Sequence, residues 1–173
     1  LATLPLRVHW VDERSAMLPE PTPEGITPYP GGDGLRLIDG APPGAYYVIM
    51  THNHPLDFAL LERALARGDA AFIGVIGSDS KARRFRLRLA HRGYGDEAID
   101  SVYCPIGLAV VPGKRPAEIA VSVAAQIIGH YHAHAAEGRV ASAPGPRWRH
   151  LEDLAADLET AHTMQLSRND ETP

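Results

Sequence analysis

The sequence predicts an α/β fold of the Rossmann-like kind, with a mostly parallel sheet flanked by helices. Residues 46–51 and 71–76 are continuous apolar runs rich in β-branched and aromatic side chains, which is typical of strands buried on both faces. An amphipathic helical pattern separates the two runs, and a second helical pattern follows them. This alternation indicates parallel strands joined by crossover helices, so we expect the two strands to be neighbours with Ile49 and Val75 buried.

The segments before the first apolar run carry weaker patterns. Residues 7–12 alternate and end in an acid, which predicts a short strand. Residues 13–30 are polar and proline-rich without a sustained period, which predicts a loop, and residues 35–38 favour a short strand or a sheet edge. The predicted helices are residues 57–67, 81–92, 117–134 and 149–163.

Breaks in these patterns divide the chain into three predicted parts. Residues 1–137 form a Rossmann-like domain, because every alternating strand and helix lies there. Residues 138–146 form a linker that contains a Pro-Gly-Pro sequence. Residues 147–173 form a carboxyl-terminal helix followed by a frayed tail.

Charge and composition exclude several classes of protein. The formal net charge is −4, so neither nucleic acid nor a membrane surface is expected as the main partner. No apolar run approaches the roughly 18 residues of a membrane span. The single cysteine, Cys104, excludes an internal disulfide framework and fits a reducing compartment, so we expect a cytoplasmic protein.

Candidate site residues follow the predicted strands, where parallel sheets bind their ligands. Asp12 ends the first strand, and an acid there suits a ribose hydroxyl of a dinucleotide, although a turn-forming role explains it as well. His52, His54 and Asp57 follow the next strand and suit either a polar ligand or a metal ion. Asp57 also suits a helix cap. Because these three residues have no evident fourth ligand nearby, we expect no dedicated metal site.

A third group lies at the turn into the basic helix. Gly77 and Ser78 precede the helix, and Lys81 and Arg84 are one helical turn apart, so the turn is suited to a phosphate. A capped and solvated basic helix is the alternative. In either case we expect replacement of both cations to leave stability nearly unchanged, because solvated helix charges contribute little to folding.

The last candidate is a tight turn that contains Cys104, Pro105 and Gly107. The thiol suits a reactive group or a ligand to the metal of a bound cofactor. An isolated cysteine is more often a small buried hydrophobic residue, and no histidine adjacent in sequence argues for an activated thiolate.

Taken together, separated segments of the chain resemble one family, the xanthine dehydrogenase accessory (XdhC/CoxI) proteins. The matching stretches are residues 7–12, 48–57, 64–69, 73–78 with the helix that follows them, 104–108 and 116–126. The order and spacing of these stretches agree with the family from Leu1 to about Ile128.

The resemblance implies a binding and delivery role in place of catalysis. Family members bind molybdenum cofactor (molybdopterin), protect it while a cysteine desulfurase or sulfurtransferase installs its terminal sulfur ligand, and help deliver it to xanthine dehydrogenase. On this interpretation the ligand lies against the residues singled out above. These are Asp12, His52, His54, Asp57, Gly77, Ser78, Lys81, Arg84, Cys104, Pro105 and Gly107.

Two rival interpretations stay open at this point. An NAD(P)-dependent oxidoreductase is supported by the fold and by Asp12, with a dinucleotide as the second candidate ligand. A metal-dependent hydrolase would use His52, His54 and Asp57. The first rival lacks a glycine fingerprint and an obvious acid–base pair, and fold alone does not give function.

The chain also departs from the family pattern. The first β-α unit with its glycine-rich turn is absent, and so is the amino-terminal domain, which carries a cysteine important for cofactor binding in the family. We therefore expect a fragment whose strand ending at Asp12 has an unpaired edge. Such an edge favours a homo-oligomer or pairing with a missing amino-terminal half.

Overall fold

A computed structural model of the chain describes residues 1–137. The predicted linker at residues 138–146 and the predicted helix and tail at residues 147–173 lie outside the described residues. The chain divides into two compact units, Leu1–Ile106 and a second unit that starts at Gly107. Nearly all of the predicted strand-end residues belong to the first unit.

The first unit contains two parallel sheets. The strands are β1 (Val8–Asp12), β2 (Ile26–Pro30), β3 (Tyr46–Ile49), β4 (Phe72–Val75) and β5 (Val102–Tyr103). One sheet has the order β1-β2, and the other has the order β3-β4-β5. Every pairing is parallel, and helices connect the strands of the larger sheet, which confirms the predicted α/β class.

The predicted pair of central strands is confirmed. β3 and β4 are hydrogen-bonded neighbours, with Ile49 opposite Val75. Ile49 is 5% exposed and Val75 is fully buried. β4 is buried throughout, as its continuous apolar sequence predicts, whereas Tyr46, Tyr47 and Val48 of β3 are only half-buried.

Two predictions before β3 were wrong. Residues 26–30 form β2 inside the segment predicted to be a loop, because prolines are compatible with a strand at the edge of a sheet. Residues 35–38 belong to a helix, α1 (Gly34–Gly40), and not to a strand. The side chain of Asp33 accepts hydrogen bonds from the amides of Leu35 and Arg36, and this cap outweighs the apolar, strand-like Leu-Arg-Leu-Ile sequence.

Three of the remaining helices agree with their predicted positions to within a few residues: α2 (His54–Arg67), α3 (Asp79–His91) and α5 (Pro116–Glu137). A fourth, α4 (Asp96–Asp100), lies between α3 and α5. α2 begins three residues earlier than predicted, because Asn53 caps it through a hydrogen bond from the amide of Leu56. The short helix α4 was not predicted. None of the helices in residues 1–137 has the length and apolar character needed to span a membrane.

Arg67, the last residue of α2, links the carboxyl end of this helix to α1. Its guanidinium donates to the carbonyl oxygens of Ile38, Asp39 and Ala41 at 2.7–2.8 Å. It also forms two hydrogen bonds with the carboxylate of Asp69. These hydrogen bonds supply donors to carbonyls at the end of α1, so this one side chain helps to fix where the helix lies.

The edge of β1 opposite β2 and the edge of β3 opposite β4 have no strand beside them in residues 1–137. The strand that ends in Asp12 therefore has one edge without a strand neighbour among the described residues. Apolar side chains at these strands are also accessible, since Trp10 is 39% exposed and Met50, next to β3, is 47% exposed.

Candidate functional site

The carboxyl ends of β1, β3 and β4 carry the polar residues that the sequence singled out. Three loops leave these ends: residues 13–14 after β1, residues 50–53 after β3, and residues 76–78 after β4. α2 and α3 begin directly after the second and third loops. Helix N-termini and loop side chains are therefore gathered at one end of the strands, as expected for a ligand site in an α/β fold.

A buried ion pair between Asp57 and Lys81 lies beneath this surface. The ammonium of Lys81 is 2.5 Å from Asp57 Oδ2, and the two side chains are 3% and 1% exposed. Lys81 also donates to the carbonyl oxygen of Ile76 at 2.6 Å. The amide and the hydroxyl of Thr51 both donate to Asp57 Oδ1, at 3.0 and 2.7 Å. The pair therefore ties the loop after β3 to the loop after β4.

Local sequence explains how Lys81 becomes buried. Ser78 caps α3 by accepting a hydrogen bond from the amide of Lys81 at 3.3 Å, which places Lys81 in the first helical turn. Gly77 leaves room for the lysine stem, because a Cβ at this position would lie 2.7 Å from Lys81 Cδ. The side chain can then reach back under the loop to Asp57.

Cys104 occupies the same buried region. It is 4% exposed and is followed by a cis peptide bond to Pro105, which is itself exposed. Burial raises the pKa of the Cys104 thiol to about 11, although the charge of Lys81 acts in the opposite direction. A thiol with this pKa stays protonated near neutral pH, so the environment favours a buried hydrophobic role over a reactive thiolate.

The exposed part of the site is formed by the loop after β3. His52, Asn53 and His54 are all exposed, whereas Thr51 is half-buried. The hydroxyl of Thr51 accepts from the amide of Asn53 at 3.1 Å while it donates to Asp57. The buried carboxylate therefore holds a loop whose two histidines face solvent.

The loop after β1 adds charged groups to this surface. The carboxylate of Asp12 accepts from the amide of Arg14 at 2.9 Å and from its guanidinium at 3.0 and 3.1 Å. The hydrogen bond from the Arg14 side chain is the main reason that the pKa of Asp12 is lowered. Glu13 Oε1 is 3.5 Å from His52 Nε2, so the ends of β1 and β3 lie close together.

The two cations predicted to hold a phosphate have different surroundings. Lys81 is 2% exposed and paired with Asp57, whereas Arg84 is exposed. Lys81 is buried, so the solvation on which the expected small change in stability was based does not apply to it. A buried carboxylate left without its partner is strongly destabilising.

Gly107 is described within the second unit. It has a φ of +107°, and its amide donates to Gln126 Oε1 of α5 at 2.7 Å. The next amide, that of Leu108, donates to the hydroxyl of Ser122 at 2.6 Å. A Cβ at Gly107 would lie 2.8 Å from that hydroxyl, so glycine is required for the turn to approach α5.

The structure thus brings some predicted residues together and separates others. Asp57, Lys81 and Cys104 share one buried region, and Gly77 and Ser78 shape it, whereas His52, His54 and Arg84 are on the surface. Sequence reasoning missed Thr51 and Arg14 as partners of the two aspartates. Both residues closely follow a predicted strand, which could have marked them as candidates. Which carboxylate each of them binds depends on how the loops fold and is not visible in the sequence.

In the described part of the chain, no group of three or more histidine, cysteine, aspartate or glutamate residues is placed to hold a metal ion. Asp57 is directed toward Thr51 and Lys81, and its burial separates it from the exposed His52 and His54.

Comparison with known proteins identifies the family. No curated protein matches the chain at a significant level. Residues 1–127 match the family model of the XdhC Rossmann domain, a stretch that includes all five strands and the Asp57–Lys81 pair. The parallel sheets flanked by helices agree with that description. The chain therefore belongs to the XdhC family and represents its carboxyl-terminal Rossmann-like domain.

Proposed function

We propose that this domain is a molybdenum cofactor-binding accessory domain and that it catalyses no reaction of its own. The cofactor would be its cargo, held while the terminal sulfur is installed and then passed to a xanthine dehydrogenase-type enzyme. A cysteine desulfurase or sulfurtransferase would be the second protein partner. The observation that carries the proposal is the membership of the XdhC family, together with an exposed polar surface at the strand ends.

The chemistry of that surface suits a pterin that carries a phosphate. His52, Asn53 and His54 offer exposed hydrogen-bonding groups to the polar edge of a ring. The N-terminal turn of α3 favours an anion, and Arg84 is an exposed cation of that helix outside the buried pair. Lys81 would support the surface from below through Asp57 and would not touch the phosphate.

Both rival functions have less support. An oxidoreductase would use Asp12 for a ribose hydroxyl, but Arg14 already binds both oxygens of that carboxylate. A hydrolase would need Asp57 beside the two histidines as a metal ligand, but Asp57 is buried against Lys81. We therefore propose the accessory role ahead of either activity.

The test is cofactor binding by variants of the exposed loop. We expect His52→Ala/His54→Ala to weaken binding of molybdenum cofactor by about tenfold or more, since two hydrogen-bonding side chains would be lost. Binding can be measured by pterin fluorescence after oxidation of the purified protein, expressed in cells that make the cofactor. His91→Ala is the matched control, because His91 is also exposed but lies in the last turn of α3, away from its N-terminal strand-end loop.

The outcomes separate the candidate functions. Equal cofactor content in the double variant and the control would move the binding surface away from this loop. Absence of pterin from the wild-type protein, combined with saturable binding of NAD(P), would favour the oxidoreductase instead.

A further inference from the structure

The helix α3 has one side in the core and the opposite side in solvent. Its buried side chains are Lys81, Ala82, Phe85 and Leu89. The solvent side carries two lines of residues spaced four apart, and this spacing places the members of each line above one another on a helix. They are Arg83, Leu87 and His91 in one line and Arg84 and Arg88 in the other, and all five are exposed. We call these five residues the outer face of α3.

The positive charge of the outer face is not neutralised within the first unit. Arg86 in α3 and Arg92 just after it each pair with a carboxylate of that unit. Among the described residues, by contrast, no carboxylate lies within ion-pair distance of Arg83, Arg84 or Arg88. The whole chain has a formal net charge of −4, so the outer face is opposite in sign to the molecule that carries it. Such a local reversal of charge attracts an acidic partner.

An apolar side chain lies at the centre of this cationic face. Leu87 is 63% exposed, and it is the one large apolar side chain of α1–α4 that is exposed, in a unit whose residues are all described. Arg83 precedes it by one helical turn, and His91 follows it by one turn. Single exposed leucines are common on protein surfaces. An apolar centre surrounded by arginines that have no carboxylate partner is instead the composition of a small protein interface.

The same residues argue against other negatively charged ligands. Single-stranded nucleic acid binds to exposed aromatic rings as well as to cations, but the one aromatic residue of α3, Phe85, is buried. A membrane surface requires a broad apolar side that can enter the lipid, and on this side of α3 Leu87 is the one large apolar side chain. Carboxylates on a protein segment suit the arginines, and an aliphatic residue beside those carboxylates suits the leucine.

We propose that the outer face of α3 docks an acidic amphipathic helix of a partner protein. The contact side of that helix would carry aliphatic residues that cover Leu87, with aspartate or glutamate residues beside them that bind Arg83 and Arg88. A helix of thirteen residues offers a straight surface of this length, which suits packing of one helix against another.

This inference does not depend on the proposed function, because it concerns a different side of the first unit. α3 begins directly after the loop that follows β4. A helix docked along α3 would therefore lie beside the strand-end surface, where a protein that receives or modifies a bound ligand would have to be.

The experiment uses a labelled synthetic peptide and the full chain. The peptide has about 18 residues, a length at which an alanine-rich helix forms in water, and its leucines and glutamates share one side of the helix. Fluorescence anisotropy measures its binding over a range of salt concentrations. We expect saturable binding that weakens as the ionic strength rises from about 0.05 to 0.5 M, because salt screens exposed charges.

Two substitutions at exposed positions test the two parts of the face. Arg83→Glu should weaken binding by about fivefold or more, because it replaces an attraction by a repulsion. Leu87→Ser should weaken binding by about tenfold and leave its salt dependence unchanged, because it removes apolar contact area only. Arg36→Glu in α1 and Val121→Ser in α5 are the matched controls at exposed helical positions and should leave binding nearly unchanged. Arg84 is kept, since it belongs to the proposed cofactor surface.

Four results would overturn the proposal. A peptide of the same composition, with leucines and glutamates spread around the helix, could bind equally well, which would show attraction to acidic chains in general. Binding that neither substitution weakens would place the contact elsewhere. Tighter binding of single-stranded RNA or of anionic phospholipid vesicles, lost in Arg83→Glu, would assign the face to another class of ligand. Lack of binding at the highest soluble peptide concentration would show that the face does not dock an acidic helix.

Discussion

Two aspartate–cation pairs lie at the strand ends of the first unit, and they differ mainly in their exposure to water. Asp57 and Lys81 have side chains that are 1% and 3% exposed, whereas those of Asp12 and Arg14 are 21% and 44% exposed. Both aspartates also accept a hydrogen bond from a nearby backbone amide. Similar groups in similar contacts are therefore placed in very different environments.

This difference in exposure indicates different roles for the two pairs. A buried charge is tolerated only with its partner, so the Asp57–Lys81 pair is a structural unit that joins two loops. An exposed pair is screened by water and ions, so the contact between Asp12 and Arg14 contributes little to folding. We infer that the buried pair positions the surface and that the exposed groups contact what binds there.

The largest expected effect is on stability. Lys81→Met should lower the free energy of unfolding by about 3–5 kcal/mol, because it leaves the Asp57 carboxylate buried without a cation. Arg14→Met should cost much less, because water solvates the exposed Asp12 in its place. Urea unfolding followed by circular dichroism measures both.

A double variant sharpens this result. Asp57→Asn/Lys81→Met removes both charges and should be more stable than Lys81→Met alone, since no uncompensated charge is left. Equal losses for Lys81→Met and Arg14→Met would show that burial does not distinguish the two pairs.

The next effect is a loss of stability in alkaline solution, caused by Cys104 beside the buried pair. Its folded pKa of about 11 lies above the reference value of 9.0, so the folded state keeps the thiol proton longer than the unfolded state does. This contribution is complete below about pH 9 and is lost as the pH rises toward 11, by up to about 3 kcal/mol at about 1.4 kcal/mol per pKa unit.

Denaturation at a series of pH values measures that loss. Cys104→Ala should remove the part of the alkaline decline that comes from the thiol. A second readout is alkylation at pH 8, which should be slow at Cys104 and fast at Ser15→Cys, an exposed position after β1. Rapid alkylation of Cys104 in the folded protein would contradict its assignment to a low-polarity environment.

The smallest effect concerns the exposed pair. Arg14 lowers the pKa of Asp12, so Arg14→Met should raise that pKa toward its usual value of 3.8. The stability that this pair contributes is present above that value and is lost as the pH falls through the folded pKa. NMR titration of the Asp12 carboxyl measures the shift, and Arg36→Met, which removes the exposed cation paired with Asp33, should leave it unchanged.

The sequence predicted the parts of the fold that depend on local patterns. The apolar runs of β3 and β4 indicate burial on both faces, and the capping residues indicate where helices begin. It failed at β2, because Pro28 and Pro30 resemble a loop until their outward direction is known. It also failed at α1, where capping by Asp33 overrides a strand-like composition.

The sequence predicted where the site lies but not which of its side chains contact one another. Residues after parallel strands are candidates by topology alone, which located His52, Asp57, Ser78 and Lys81. The pairing of Asp57 with Lys81 spans 24 positions and depends on how far the lysine stem is folded back. Composition cannot show this, because a lysine in a basic helix usually faces water.

The closeness of Gly77 to the stem of Lys81 also restricts how this part of the sequence can change. A Cβ at position 77 would lie 2.7 Å from Lys81 Cδ. A shorter residue at position 81 would relieve this steric conflict but would leave Asp57 without its cation. The three positions therefore constrain one another, and we expect a single change at any of them to be destabilising. Related sequences should carry a larger residue at position 77 only where positions 57 and 81 have both lost their charges.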